Sequence, residues 1–163
     1  MNWVLFWLFL HIAAAIIAFG PTFTFPIIGA MAAKNPQFGH FAAEVSHKIE
    51  RGLVFPVAMT MLVSGIGLII SSGRNLTKSP WLAIGIALYL IAVSIAFFVL
   101  IPNTGKLVEA TAGGPPPGGP PPGEHAGPPP HIAALVKKNQ VGGMILTALL
   151  ITIIFLMVVK PGG

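Results

Sequence analysis

Four long runs of apolar residues dominate the chain, over residues 3–33, 53–70, 81–101 and 141–159. Each is about 18 residues or more, the length at which a helix crosses a hydrocarbon core of about 30 Å. Backbone groups placed in lipid find partners only within their own segment, so each run is expected to be a helix. The spans are placed at about 3–33, 53–72, 81–101 and 140–159. The first is too long for one straight crossing, because at 1.5 Å per residue it would reach about 45 Å. Pro21 and Pro26 are expected to kink it, with its far end projecting from the membrane.

The polar intervals fill in the rest of the architecture. Residues 39–52 (GHFAAEVSHKIERG) place Glu44 four positions before Lys48, the favourable order on a helix, and put His47 and Arg51 on one face. They read as an extension of the second helix, either a solvated end or a surface for docking or for an anionic ligand. Residues 113–130 (GGPPPGGPPPGEHAGPPP) form neither a helix nor a core, so a disordered or polyproline-like linker is expected there. The expected fold is all-α, an integral membrane four-helix bundle in one domain over residues 1–163, with a disordered Pro/Gly-rich loop between helices three and four. The first run lacks the basic start of a cleaved signal and is expected to stay as a helix.

Composition strengthens the membrane reading. The 163-residue chain is 55% hydrophobic and 8% charged, against about 25% charged in soluble domains. It contains no cysteine, which excludes disulfides, thiolate metal sites and cysteine nucleophiles. The formal charge of +5 does not point to nucleic acid, because the basic residues stand singly at segment ends. Arg74, Lys78 and Lys160 fall on the side of the termini. Lys34, Lys48, Arg51, Lys106, Lys137 and Lys138 fall in the first and third loops. The excess places those loops in the cytoplasm and both termini outside. Trp3, Trp7 and Trp81 then lie at the outer interface, which indole rings favour.

His11 is the one ionisable residue of the first run, and an imidazole at that depth is a functional-site hypothesis by default. Counting inward from the segment ends puts His11, Ser64, Tyr89 and Thr152 at similar depth, as one expected polar layer. Small residues border it: Ala14, Ala15 and Ala18; Thr60, Ser64, Gly67 and Ser71; Gly85, Ala92 and Ala96. Such residues let membrane helices approach closely, and the same clearance would admit a flat macrocycle. One reading of His11 is a neutral imidazole bonded to Tyr89 or a serine. The other is a haem ligand. Met59 and Met61 are the nearest thioethers, with Met61 the candidate second axial ligand or simple packing. With no second histidine inside a span, bis-histidine ligation within one chain is not expected. With no acid inside any span, neither is a carboxylate relay.

Residues 10–32 (LHIAAAIIAFGPTFTFPIIGAMA) resemble the first helix of HemJ-type protoporphyrinogen oxidases, with its Leu-His-Ile start and a following Gly/Pro-containing aromatic stretch. Residues 46–70 (SHKIERGLVFPVAMTMLVSGIGLII) resemble their second segment, and residues 81–93 (WLAIGIALYLIAV) follow with similar spacing. The chain is also similar to an uncharacterised group of four-helix bacterial membrane proteins in the same CopD-like superfamily. The resemblance implies a bacterial inner-membrane bundle binding haem b through His11, with the basic pair before helix two mapping onto Lys48 and Arg51. Met61, Ser64 and Tyr89 complete the candidate cofactor-contacting set. The proline-rich loop departs from the HemJ pattern, and no Met/His cluster at an outer mouth supports a copper role. A haem-dependent redox or porphyrin-handling component is therefore the leading expectation. A non-catalytic membrane subunit or assembly factor, in contact with partner membrane proteins or further copies of itself, is the alternative. A small transporter, with Pro21 and Pro26 breaking a helix, ranks last because no repeat symmetry is visible.

Overall fold

The computed structural model describes residues 2–114 and 128–161. The expectation of a disordered or polyproline-like segment falls largely on residues outside that set. Among the described residues the structure is helical throughout, built from four rods, each long and apolar enough to cross a membrane: Trp3–Lys34, Pro36–Ser72, Pro80–Thr111 and Pro130–Val159.

Prolines decide where the rods change their winding. In the first, α1 (Trp3–Phe19) begins at Asn2, whose side-chain oxygen accepts from the amides of Val4 and Leu5. Pro21 has no amide proton to donate, and the chain tightens into a 3₁₀ turn over Gly20–Phe23. Thr24 closes that turn with its amide and its hydroxyl, both donated to the Pro21 carbonyl at 2.9 and 2.7 Å. Pro26 then sits in the first turn of α2 (Phe25–Lys34), where a missing amide costs nothing.

The second and third rods meet the same problem with a wider turn. The second runs through α3 (Gly39–Ile49), a π turn (Glu50–Val54) and α4 (Phe55–Ser72). The third runs through α5 (Pro80–Ile95), a π turn (Ala96–Leu100) and α6 (Ile101–Thr111). Each π turn ends two residues before a proline, Pro56 or Pro102. A proline inside a helix leaves a carbonyl one turn back without its donor and presses its ring on it, and the extra residue of a π turn relieves both. α4 stops at Gly73, whose φ of 61° is in the left-handed region. The fourth rod is a single helix, α7 (Pro130–Val159).

α1 packs chiefly on α4 and α5 on α7. At the other end α3 lies on α6, and α2 and α6 both reach α7. Each rod contributes one residue to the buried centre: Ala14, Met61, Tyr89 and Ile153. Many large aliphatic residues face outward instead, among them Ile16, Ile70 and Val158, as lipid contact requires. Glycines set the closest approaches. A Cβ on Gly67 would stand 2.6 Å from Trp7 Cε2, and one on Gly85 would stand 2.5 Å from Met157 Cε. The Leu100 side chain fills the same kind of notch at Gly142. The notches at Gly67, Gly85 and Gly142 are thus filled by side chains of neighbouring rods, while Ala18, Ala92 and Ala96 line a small cavity.

Candidate functional site

α1 carries His11 on the side that meets α4, half-buried. Its Nδ1 lies 3.1 Å from the Met61 carbonyl oxygen and 3.2 Å from Ser64 Oγ. A carbonyl only accepts, so Nδ1 carries the proton and Nε2 holds the lone pair. The Ser64 hydroxyl, fully buried, donates to the same Met61 carbonyl at 3.0 Å. It fixes that carbonyl and accepts from Nδ1 at the same time. The ring also rests against Gly65, where a Cβ would lie 3.2 Å from His11 Cε1. A larger residue there would push the imidazole from its place. Nδ1–H held by a backbone carbonyl is the arrangement that orients metal-bound histidines and raises the basicity of the other nitrogen.

The rest of the expected layer does not assemble around His11. Tyr89 is buried on α5, but its hydroxyl donates to the Ala58 carbonyl rather than to the imidazole. Thr152 is exposed on the outer face of α7, with its hydroxyl donated to Ala148 of its own helix at 2.9 Å. Ile153 takes the inward position instead, 2% exposed. Depth along a helix does not fix azimuth, and one residue is 100° of rotation. Thr60 likewise faces out and bonds back to the Pro56 carbonyl.

The basic pair does not come to the histidine. Met61 offers its carbonyl to His11, while its side chain packs in the centre with Ala14, Tyr89 and Ile153. Lys48 is held by Glu44 at 2.8 Å. Arg51 lies ten residues before Met61, about 15 Å along the helix axis, on an exposed face. The cavity beside Tyr89, bounded by Ala18, Thr22, Ala58 and Leu150 among others, is about 50 Å³, room for a few waters. That cavity is too small for a porphyrin, and the Met61 side chain is taken up in the central packing. Nε2, across the ring from the α4 carbonyl that holds Nδ1, is the nitrogen left for a ligand.

A second polar cluster, at the end of the bundle away from the chain termini, was not picked out from the sequence. Asn103 donates to the Leu135 carbonyl at 2.8 Å and to Asn139 Oδ1 at 2.7 Å. Asn139 in turn donates to Thr104 Oγ1 at 3.2 Å, and Thr104 donates to the Leu100 carbonyl at 3.0 Å. Glu50 approaches Thr104 at 3.4 Å through one carboxylate oxygen. Its other oxygen and His47 Nδ1 are buried with no protein partner among the described residues. The signal in the sequence was a polar pair at the facing ends of the last two apolar runs, Asn103-Thr104 just after the third and Asn139-Gln140 just before the fourth. Among the described residues no three of His, Cys, Asp and Glu come together as a metal site.

At the opposite end, Trp81 is 5% exposed and lies between two cations, with Arg74 5.6 Å and Lys160 Nζ 5.9 Å from its ring centroid. This is where an amphipathic indole anchors a helix end at a membrane interface. No curated protein and no solved structure matches the chain. A family model described as "Predicted integral membrane protein (DUF2269)" matches residues 5–161, nearly the whole chain, and the protein belongs to that family of integral membrane proteins.

Proposed function

We propose that this protein binds haem b on its membrane face through Nε2 of His11, as a redox or porphyrin-handling component of the bacterial plasma membrane. The observation that carries the reading is the clamp on Nδ1. A backbone carbonyl and a buried serine hydroxyl fix the tautomer and leave a single oriented lone pair. The resemblance of residues 10–32 to the first helix of HemJ-type oxidases supports it. The group would supply one-electron chemistry. The chain's own part is to hold the imidazole neutral, oriented and away from water. In this reading both termini lie outside, in keeping with the surplus of basic residues in the first and third loops.

The test is the absorption spectrum of the protein purified gently from native membranes, oxidised and then reduced with dithionite. A Soret band that is lost in His11→Ala and retained in Met61→Leu is expected. A flat visible spectrum at full yield, with no uptake of added haem, would overturn the proposal. The second reading is a non-catalytic membrane subunit or assembly factor. The filled glycine notches and the small central cavity favour it, since they leave the interior no ligand to hold. Monodisperse, partner-free protein from native membranes would count against it.

A further inference from the structure

Arg51 and the two π turns play no part around His11, yet they make one feature together. The turns over Glu50–Val54 and Ala96–Leu100 stand at the same level of neighbouring rods. Phe55 and Phe97, beside them, stack with centroids 5.0 Å apart and planes at 22°. A groove of about 480 Å³ opens beside these rings. Its wall is aromatic and aliphatic, from Phe55, Phe97, Phe98, Ile101 and Pro102, and Arg51 stands in the same lining. Phe98 is 72% exposed. Arg51 is exposed as well, and the ion pair found among the described residues is Glu44–Lys48, so its guanidinium has no carboxylate partner among them.

Level and charge identify the occupant. Arg51 lies two residues before the apolar run that begins at Leu53, about 3 Å along the axis, which is headgroup depth, whereas the phenylalanine wall lies deeper. The loops at this end carry Lys34, Lys48, Lys106, Lys137 and Lys138 besides Arg51, against Glu44, Glu50 and Glu109 among the described residues. A surface of this charge attracts anionic lipid. A guanidinium matches a phosphate through paired donors, and an acyl chain matches the phenylalanine wall. We propose that the groove binds one anionic phospholipid, its phosphate on Arg51 and an acyl chain along Phe97 and Phe98. A zwitterionic lipid offers the same phosphate but brings an ammonium into a cationic neighbourhood, so the site discriminates by net headgroup charge. The site is independent of His11 and of any cofactor.

Native mass spectrometry of the full-length protein, released from micelles supplied with phosphatidylglycerol or phosphatidylcholine, tests this. One phosphatidylglycerol is expected to stay bound, with retention reduced about fivefold in R51Q and unchanged in K34Q. F98A, at an exposed ring, reads the acyl half and is expected to weaken retention of both lipids. Equal retention of the two lipids by the native chain, or R51Q indistinguishable from it, would overturn the proposal. So would a dimer whose formation displaces the lipid, since the groove would then be a contact between copies of the chain.

Discussion

Gly67→Ala is the sharpest probe of the seam between α1 and α4. A methyl at Gly67 would stand 2.6 Å from Trp7 Cε2 and 2.7 Å from Cε3. Relaxed carbon contacts lie at about 3.5–4.0 Å, so the indole or the helix has to retreat by about 1 Å. Overpacking of this kind costs about 1–3 kcal/mol. The same substitution also gains helix propensity of about 1 kcal/mol, which would mask part of the cost. Gly29→Ala is the reference that removes this gain. It makes the same change within α2, where a Cβ meets nothing within 4 Å. The difference between the two variants isolates the clash, and 1–3 kcal/mol corresponds to about a five- to 150-fold change in the ratio of folded to unfolded protein. Equilibrium unfolding in mixed micelles, followed by far-ultraviolet circular dichroism, measures it. Trp7→Leu combined with Gly67→Ala is expected to recover most of the loss. Coincident curves for Gly67→Ala and Gly29→Ala would refute the close seam.

Four further outcomes are expected from the same unfolding measurement. Asn139→Ala removes the acceptor for Asn103 and the donor to Thr104 and should cost about 1–3 kcal/mol; a variant as stable as the parent would mean the network does not form. Tyr89→Phe keeps the buried ring and loses the bond to the Ala58 carbonyl, for about 0.5–1.5 kcal/mol, and an unchanged midpoint would count against that bond. Thr152→Ala should stay within about 0.5 kcal/mol, because its hydroxyl is exposed and bonds only to its own helix; a larger loss would put Thr152 back in the interior. Arg74→Gln should cost about 0.5–1 kcal/mol and alter Trp81 emission, and a spectrum without change would remove the Arg74–Trp81 contact.

The number of rods was legible because each holds an apolar run long enough to cross a bilayer, but their length was not: the third helix runs on past residue 101 to Thr111 and the fourth begins at Pro130 rather than about 140. The approach of His11 to Ser64 was also within reach, since both lie at similar depth from their helix ends. Azimuth was not. Thr152 and Ile153 are adjacent in sequence, and only packing against three other rods decides which turns inward. The glycines misled for a related reason. Gly67 and Gly85 each signalled close approach, but the sequence does not say that a tryptophan and a methionine come to fill them. The turns before Pro56 and Pro102 were not read, and Pro102 falls just past the expected end of the third run, so only the continuation of the helix to Thr111 makes it an interior proline. That both resolve as π turns at one level depends on where two separate rods pack. The Asn103–Asn139 pair joins residues far apart in the chain, and nothing local to either one names its partner.

The pairing of α1 with α4 and of α5 with α7 has a consequence for biosynthesis. In both cases the partners are successive membrane crossings, so each seam belongs to a hairpin that can close soon after its second helix is made. Low separation between partners favours rapid closure. The first hairpin is complete by Ser72, before the third crossing is made. The contacts that join the two hairpins, α3 on α6, α2 on α7 and the Tyr89 bond to Ala58, form afterwards. Two fragments separated at Arg74–Ser79 would then each enter the membrane as a closed unit and find one another there, and their association would be the step that depends on Tyr89.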